Sequence, residues 1–457
     1  MDRFAAHIEA NRARYYDELR TFLRQPSIAA QGIGLEETAA LTAERLRRLG
    51  AEVQVLRLGQ EDAPAAPVVY GSLGQHPEGT RRTLLVYDHY DVQPPEPLEL
   101  WHSPPFEPAE RDGKLYARGV ADNKGNLMLR LQAIESWLAT EGALPIRINF
   151  LVEGEEEIGS VHLEEFCHQY AGLLKADGCL WETGGRNALE QPAIYCGAKG
   201  ICYVELVARG ASHDLHSSNA TIVPNPAWRL AWALGTLKAP DERIRIPGFY
   251  DRVRPPSDAD LRALETIPID DDALLADFGI GEFLGGVRGI ERLKVHLFSP
   301  TCTICGMVSG YTGAGSKTVL PSEARAKIDF RLVPDMDPDE IVRLLRAHLD
   351  AHGFGDIAIL EFGHERAARS DPSSVAVRAM SAAIEATYAQ PAVIYPTMAG
   401  TGPMYPVCEA LGTPVTSGCG TGYQGTLIHA PNENIRLADY WDAMRCMGAF
   451  IRAFAEI

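Results

Sequence analysis

Two short, almost continuous apolar runs constrain the fold of this chain more than any other feature of its sequence. They are Leu84–Tyr87 and Ile148–Val152, and both are too short for a buried helix. Between them, apolar residues recur at the spacing of one helix face: Leu127, Leu131, Ile134 and Leu138. Strands that are apolar on both sides need helices on both faces of their sheet. The order strand, helix, strand therefore predicts an α/β fold.

The middle of the chain follows a different pattern. Apolar and polar residues alternate over 324–332, which is typical of an antiparallel strand with one face in solvent. A helix should begin soon afterwards, with Asp337 as its N-cap and Pro338 at its first position. Further strands are expected over 203–209 and 357–362. This part of the chain therefore predicts a small α+β layer.

A chain of 457 residues is too long for one typical core, so we expect more than one domain. The simplest organisation is a larger α/β domain formed by residues 1–198 and 365–457. An inserted lid domain of residues 199–364 interrupts it. The linker-like stretches Ala198-Lys199-Gly200 and 363–373 bracket this insertion.

Charge and composition exclude several classes of partner. The formal net charge is -18 and no cluster of Lys and Arg stands out, which argues against binding to nucleic acids or anionic membranes. No apolar stretch is long enough to span a bilayer, and the N-terminus lacks the apolar core of a secretory signal. Cys302 and Cys305 form the only CxxC, within an expected apolar strand. We therefore predict reduced thiols and a cytoplasmic location.

Polar residues follow the first apolar run directly. The segment continues as Asp88-His89-Tyr90-Asp91, in which His89 and Asp91 point to the same side of an extended chain. This pair can be a loop histidine with a capping Asp, or a metal-binding histidine with a carboxylate partner. Asp122 lies in a turn before the next helix, where an Asp is usually a plain N-cap.

An acidic run follows the second apolar strand. Four of the five residues from Glu153 to Glu157 are glutamates, and their mutual repulsion raises their pKa values unless solvent or cations relieve it. The run can be a solvated loop, or it can supply a metal ligand and a general base. Glu182 and His429 follow other apolar runs. Histidine and carboxylate ligands together suit zinc, manganese or cobalt.

The ordered set of motifs over nearly the whole chain resembles one family of metallopeptidases. The motifs are His89-x-Asp91, Arg118-Gly-Val-Ala-Asp122-Asn-Lys-Gly125, Glu153-Gly-Glu-Glu156-Glu157-Ile-Gly159-Ser160, Asp214-Leu-His216-Ser217, Arg331-Leu-Val-Pro334, and His429 with Asn432-Glu433. The set is similar to the aminoacylase, carboxypeptidase G and cytosolic dipeptidase family, whose enzymes use two co-catalytic metal ions. The dipeptidase and carnosinase branch is the most similar, through Gly200-Ile201-Cys202-Tyr203 and Asp214-Leu215-His216-Ser217.

The resemblance implies a fold and a metal centre. The fold would be a zinc-exopeptidase-like catalytic domain with a mixed central sheet, carrying an α+β ferredoxin-like lid that also serves dimerisation. Two divalent ions, zinc by preference and otherwise manganese or cobalt, would be held by five ligands: His89, Asp122, Glu157, Glu182 and His429. Asp122 would bridge the ions and precede a cis peptide bond to Asn123. His89 and Glu182 would complete one site, and the other two ligands the second.

The same resemblance implies catalytic roles. Glu156 would be the general base that moves a proton from the attacking water to the leaving amine. Asp91 would orient His89. In a homodimer, His216 would reach the partner subunit's active site and stabilise the oxyanion. Arg331 would bind the carboxylate of a small peptide or N-acyl amino acid substrate, and the fork of donors on its guanidinium suits that task.

Some positions leave alternatives open. Asp177 competes with Glu182 as the metal ligand. Gly400-Thr401-Gly402-Pro403 stands where dipeptidases of this type often carry an acidic residue followed by Gly-Gly-Ser. Thr401 is therefore a candidate substrate contact, but no acid is available there to meet a free substrate amine. The preferred function is hydrolysis of dipeptides, and the alternative is deacylation of N-acyl amino acids. A non-catalytic binding protein would have lost a ligand or the base, and all of them are present.

Overall fold

The computed structural model describes residues 2–60, 63–74 and 82–457. Its helices cover the segments that the apolar periodicity predicts, at both ends of the chain and between the two apolar strands. In chain order the α-helices are α1 (Asp2–Leu23), α2 (Leu35–Arg48), α3 (Lys124–Glu141), α4 (Leu163–Gln169), α5 (Ala171–Leu174), α6 (Pro226–Leu237), α7 (Asp258–Leu264), α8 (Asp271–Phe278), α9 (Gly289–Phe298), α10 (Pro338–Ala351), α11 (Val375–Tyr388) and α12 (Leu437–Glu456).

Ten strands build the two main sheets. They are β1 (Glu52–Leu56), β2 (Val68–Leu73), β3 (Thr83–His89), β4 (Arg147–Glu153), β5 (Gly178–Leu180), β6 (Gly197–Arg209), β7 (Thr303–Ser309), β8 (Glu323–Leu332), β9 (Ala358–Glu365) and β10 (Val415–Thr416). Shorter strands form smaller ribbons or extend these sheets: Gly59–Gln60, Ala63–Pro64, Ala109–Arg111, Lys114–Tyr116, Gly185–Arg186, Pro192–Tyr195, Leu215–His216, Val319–Leu320, Ala368–Arg369, Val393–Tyr395, Met398–Thr401 and Asn434–Arg436.

The first sheet has six strands in the order β1-β2-β4-β3-β5-β10. Strands β4, β3, β5 and β10 run parallel, whereas β1 and β2 pair antiparallel at one side. The mixed sheet that the sequence predicts is therefore confirmed. In the register of β3 with β4, Leu84 lies opposite Ile148 and His89 lies opposite Glu153. The two polar strand ends therefore meet at one edge of the sheet.

Helices cover both faces of this sheet, because its central strands are apolar on both sides. Leu84 and Val86 of β3 pack into a core with α1, α2, α3, α11 and α12. The alternate residues Leu85 and Tyr87 pack into a second core with α4 and α5. All four side chains are fully buried. This burial is what the continuous apolar runs predict.

The second sheet is antiparallel, with the strand order β7-β8-β6-β9. Helices α6 and α10 pack on one face of it around a separate apolar core. With α7, α8 and α9 inserted between α6 and β7, these elements follow the order strand, helix, two strands, helix and strand, which is that of a ferredoxin-like unit. Asp337 caps α10 by accepting from the backbone N–H groups of Asp339 and Glu340.

The stretches interpreted as linkers are part of these strands. Ala198-Lys199-Gly200 lies inside β6, which runs without a break into the lid, so the linker interpretation is wrong. Glu365 ends β9, and Ala368–Arg369 pairs with the start of β6. Met398–Thr401 also pairs with β6 near Lys199. Backbone pairing therefore joins the start of β6 to the segments that follow the second sheet in the chain.

Two further observations concern the predicted surroundings of the protein. Among the helices that the structure describes, none combines the length and apolar character needed to cross a membrane. The nine cysteines are free thiols, and all except Cys305 are buried. Cys305 lies in β7, in the strand setting that the sequence predicts, and Cys302 directly precedes this strand.

Replacing Phe150 tests the buried sheet. Its ring is fully buried in β4, so Phe150→Ala should lower the free energy of unfolding by about 3–5 kcal/mol. Phe278→Ala is the matched control, because that ring is 60% exposed and its loss should change stability by less than about 0.5 kcal/mol. Thermal and urea unfolding measure both variants. Equal effects of the two substitutions would contradict the proposed core.

Candidate metal centre

The candidate site lies at the carboxyl ends of β3, β4 and β5, where ligands are expected in an α/β sheet. His89 is the last residue of β3, and Glu182 follows β5. Asp122 lies in the turn before α3, and its peptide bond to Asn123 is cis, as the resemblance implies. The turn brings the carboxylate of Asp122 next to the two strand ends.

One set of potential ligands surrounds His89. Its Nε2 atom lies 3.0 Å from Oδ1 of Asp122 and 3.2 Å from Oε2 of Glu182. His89 is fully buried and Glu182 nearly so. Three donor atoms from three separate segments of the chain therefore meet within a few ångströms.

A second set shares Asp122. Nε2 of His429 lies 3.1 Å from Oδ2 of Asp122 and 3.1 Å from Oε2 of Glu157. Since the two oxygens of Asp122 face different histidines, this carboxylate lies between the two sets. The structure thus brings together all five residues that the sequence analysis proposes as ligands.

Glu156 borders both sets. Its Oε2 atom lies 3.9 Å from Nε2 of His89, farther than the oxygens of Asp122 and Glu182. Ligand atoms of His89, Glu156 and Glu157 also lie within 4.8 Å of one another. The longer distance from His89 leaves Glu156 better placed to act on a small molecule beside the centre.

The donor set fits two divalent cations. Imidazole nitrogens and carboxylate oxygens are the ligands that zinc, manganese and cobalt accept in proteins. Burial raises the pKa of Glu182 to about 8 despite the nearby His89. Burial and the charge of Glu182 also raise the pKa of Glu156 well above its usual range. Cations at this position would offset the repulsion between these carboxylates.

Asp91 connects the two ligand sets. Its backbone carbonyl oxygen lies at hydrogen-bond distance, 3.1 Å, from Nδ1 of His89, and its Oδ1 atom lies 3.3 Å from the same nitrogen. Its Oδ2 atom accepts a hydrogen bond of 3.0 Å from the backbone N–H of Glu157. This arrangement directs Nε2 of His89 toward Asp122. It also holds the backbone of Glu157 in place, a contact that the sequence does not predict.

Glu433 is a supporting residue to which the sequence analysis assigns no role. Its carboxylate accepts hydrogen bonds from the backbone N–H groups of Gly119, Ala121 and Asp122 at 2.8–3.1 Å. It also pairs with the buried Arg118 at 2.8 Å. Glu433 therefore fixes the turn that presents Asp122. Its only signal in the sequence is its place in the motif formed by His429 and Asn432-Glu433.

A second buried ion pair supports the site from below. Arg130 of α3 pairs with Asp88 at 2.8 Å and donates to the backbone carbonyls of Trp181 and Glu182. Asp88 in turn accepts a 2.7 Å hydrogen bond from the side-chain amide of Asn123. This network ties β3, the turn before α3 and the segment of Glu182 together. The sequence does not reveal this network, because Arg130 is a single arginine among the apolar residues of α3.

The structure separates the two candidates for the fifth ligand. Asp177 accepts a hydrogen bond from the backbone N–H of Thr83, at the opposite end of β3 from His89. Glu182, not Asp177, therefore reaches the centre. Glu155 is only 8% exposed, unlike a residue of a solvated acidic loop. It accepts from the backbone N–H of Ala66 and pairs with His162, away from the ligands.

The lid residues divide into two groups. Arg331 donates a 2.6 Å hydrogen bond from Nη1 to the hydroxyl of Thr401, so the two predicted substrate contacts lie together. Its Nε atom is 3.1 Å from Asp329. His216 is exposed, and within the described residues its ring contacts Ser218 and Thr318 of the lid and none of the five ligands.

Comparisons with known proteins agree with this fold. Residues 85–453 match the sequence profile of peptidase family M20/M25/M40. The chain is 32% identical over 327 residues to the Beta-Ala-His dipeptidase of Rattus norvegicus, covering 68% of this chain and 65% of the relative. The chain therefore belongs to peptidase family M20/M25/M40.

Other relatives cover more of both chains. A Cys-Gly metallodipeptidase of Saccharomyces cerevisiae is 26% identical over 98% of this chain and 97% of its own. The structure of an M20 family metallo-carboxypeptidase from Sulfolobus solfataricus has 38% sequence identity and a TM-score of 0.87. The match covers 97% of this chain and 99% of that one. Human carnosine dipeptidase 1 is 26% identical with a TM-score of 0.78, covering 100% of each chain. The matched part spans about 65% of the length of the rat relative.

Glu433→Gln tests the support of the Asp122 turn. The substitution removes the charge that pairs with Arg118 and weakens the bonds to the turn, so metal affinity should fall by roughly 10- to 100-fold. Calorimetric titration of the metal-free protein with zinc or manganese measures the change. Glu409→Gln is the matched control, since Glu409 pairs with Arg254 away from the centre. Equal affinity of both variants and wild type would rule out this role.

Proposed function

We propose that this protein is a dinuclear metal-dependent peptidase that hydrolyses dipeptides and similar small substrates with a free carboxylate. The proposal rests on one observation: the two ligand sets share Asp122, and Glu156 lies beside them. A binding protein without catalytic activity does not need a free carboxylate at that position. Membership of a peptidase family supports the same reaction class.

The five ligands would hold two divalent ions, one near His89 and Glu182 and one near Glu157 and His429, with Asp122 between them. When bound, such ions supply Lewis acidity that activates water and polarises the scissile carbonyl. Asp91 holds the ring of His89 and the backbone of Glu157, so neither ligand set needs to rearrange as the reaction proceeds. Zinc as the native metal and a cytoplasmic location stay predictions.

Glu156 moves the proton in this mechanism. Its carboxylate oxygen accepts a proton from the attacking water and donates it to the nitrogen of the departing amine. Its position favours this exchange, since ligand atoms of His89 and Glu157 lie close to its carboxylate. The other carboxylates of the acidic run are engaged elsewhere. Glu155 bonds to Ala66 and His162. Glu153 accepts from the hydroxyls of Tyr87 and Ser160. Glu157 is a proposed ligand beside His429.

Arg331 and Thr401 provide a site for the substrate carboxylate. The guanidinium of Arg331 can form two parallel hydrogen bonds to a carboxylate. Its hydrogen bond to the hydroxyl of Thr401 holds this guanidinium from the side of the larger domain. The relatives named dipeptidases and metallo-carboxypeptidase support a substrate that ends in a free carboxylate. Deacylation of N-acyl amino acids is the second candidate, because Gly400–Pro403 contains no acid for a substrate amine.

The lid would complete the site in a homodimer. Strand β7 pairs only with β8 among the described strands, so its other edge is open. Ile304, Met307 and Val308 of β7 are each about half exposed, an arrangement that favours pairing with a second copy. His216, which contacts no ligand of its own chain, would then donate to the oxyanion in the partner subunit's site.

Removal of the metal and of the base tests the reaction. Full chelation should abolish hydrolysis of a dipeptide panel, and zinc, manganese or cobalt should restore it. Glu156→Gln should lower kcat by about 10²- to 10⁴-fold because no group remains to transfer the proton, while the metal content stays unchanged. Steady-state kinetics with metal analysis measure both effects.

Glu155→Gln is the matched control for Glu156→Gln, since it makes the same change one residue earlier. It should leave kcat within a few-fold of wild type. An N-acyl amino acid panel, assayed in parallel, separates the two candidate functions. Hydrolysis that survives both complete chelation and Glu156→Gln would overturn the mechanism.

Mixed dimers test the position of His216. His216→Ala should lower kcat by roughly 10²- to 10³-fold, as expected for the loss of one oxyanion donor. If the histidine acts across the dimer, a His216→Ala subunit paired with a Glu156→Gln subunit has one intact site and regains activity. Differently tagged subunits, co-expressed and purified as mixed dimers, give the measurement. Pairing His216→Ala with the Glu156→Gln, His216→Ala double variant is the inactive control. Absence of rescue in verified mixed dimers would exclude action in trans.

A further inference from the structure

A cavity of about 390 Å³ lies between the lid and the catalytic segment that follows Glu156. Residues 158–161 form one wall, and residues 362–366 at the end of β9 form the opposite wall. Ile201 of β6 and Tyr405 close its sides. The cavity therefore begins two residues beyond the proposed general base, close enough to hold part of a substrate.

One carboxylate in this cavity has no counter-ion. Of the three acids in its lining, Glu164 pairs with Arg366 at 3.2 Å and Asp339 pairs with His364 at 3.1 Å. Glu365 forms no ion pair with any described residue, and its Oε2 atom is buried without a hydrogen-bond donor. A buried carboxylate oxygen without a donor is costly unless a ligand supplies one.

Glu365 and Arg331 lie in one row across the lid sheet. Ile201 of β6 pairs with Arg331 on one side and with Glu365 on the other. Directly paired residues project to the same face of a sheet, and two strand spacings separate the outer pair by about 9–10 Å. Both side chains meet the larger domain. Arg331 bonds to Thr401, and a Cβ at Gly159 would lie 3.9 Å from Oε1 of Glu365.

We propose that Glu365 receives the free ammonium group of the substrate, and that it determines specificity for short peptides with an unblocked amino terminus. The inference rests on the proposed function, in which Arg331 binds the carboxylate at the other end. An extended chain rises by at most about 3.6 Å per residue, so a peptide of two or three residues, met by the two side chains, fits between the two outer strands. N-acyl amino acids carry no ammonium group and gain nothing from Glu365.

Two observations support this position. Gly400–Pro403 offers no acid for a substrate amine, and Glu365 supplies one from the facing lid. Burial also raises the pKa of Glu365 to about 7, with Arg331 opposing the shift only in part. An ammonium group at hydrogen-bond distance would favour the charged carboxylate. A positively charged group next to Glu365 would therefore satisfy a carboxylate that no described residue pairs with.

Glu365→Gln tests the assignment with matched substrates. For dipeptides and tripeptides with a free amino terminus, kcat/KM should fall by roughly 10- to 100-fold, mainly through KM, because a charge-assisted bond is lost. For the N-acetylated forms of the same peptides, kcat/KM should change by less than a few-fold. Where the acetylated peptides are cleaved too slowly, their inhibition constants give the same ratio. Glu365→Asp, which keeps the charge, should lose less than Glu365→Gln.

Two control variants define the readout. Glu361→Gln makes the same change four residues earlier on β9, at an exposed side chain, and should leave both substrate sets unaffected. Arg331→Gln should weaken both sets equally, since both carry the carboxylate. Thermal unfolding and metal content show whether each variant is folded and loaded.

The outcomes distinguish the inference from the proposed function. If Glu365→Gln weakens both sets equally, or neither, the amine assignment is wrong while peptidase activity stands. If Glu365→Gln lowers kcat/KM only for N-acetylated peptides that contain lysine, Glu365 binds the ammonium group of a side chain. The assignment to the amino terminus is then also wrong. If the wild-type enzyme with restored metal cleaves neither set, the proposed function itself fails.

Discussion

The site depends on one electrostatic constraint. Several carboxylates must stay close together in a largely buried position, and their mutual repulsion must not destabilise the fold. Asp122 meets this constraint by sharing its two oxygens between His89 and His429. Glu157 and Glu182 each add one carboxylate to a different histidine. Repulsion among such groups raises pKa values, and divalent cations relieve it. The same arrangement that makes the cluster unfavourable without cations makes it a strong candidate for binding two of them.

Buried ion pairs hold this cluster in position. Arg118 with Glu433 fixes the turn of Asp122, and Arg130 with Asp88 joins that turn to the strands on either side. Removing one member of a buried pair leaves an uncompensated charge, whereas the intact pair satisfies several backbone groups. The core of the larger domain therefore contributes to the chemistry, because it orients the ligands before any metal or substrate arrives.

Local pattern accounts for much of the fold, whereas the proposed site residues follow from the resemblance of the ordered motifs to a family of metallopeptidases. Apolar runs predict the buried strands, and the capping residue Asp337 predicts the start of α10. Long-range contacts lie outside such reasoning. Ala198-Lys199-Gly200 resembles a linker, yet it pairs with distant strands. Glu155 belongs to a charged run, yet it is buried against Ala66. In both cases the partner lies far away in the sequence, so no neighbouring residue reveals it.

The sequence by itself determined the candidate chemistry, since histidines and carboxylates at strand ends, in the order of known motifs, indicate the proposed ligands and base. Tertiary structure decided which of the competing residues take part. It placed Glu182 at the centre and Asp177 at the far end of the sheet. It also aligned Arg331 and Glu365 on either side of Ile201. The physical reason is strand register, because a residue's face and depth depend on pairing with strands that are distant in the chain.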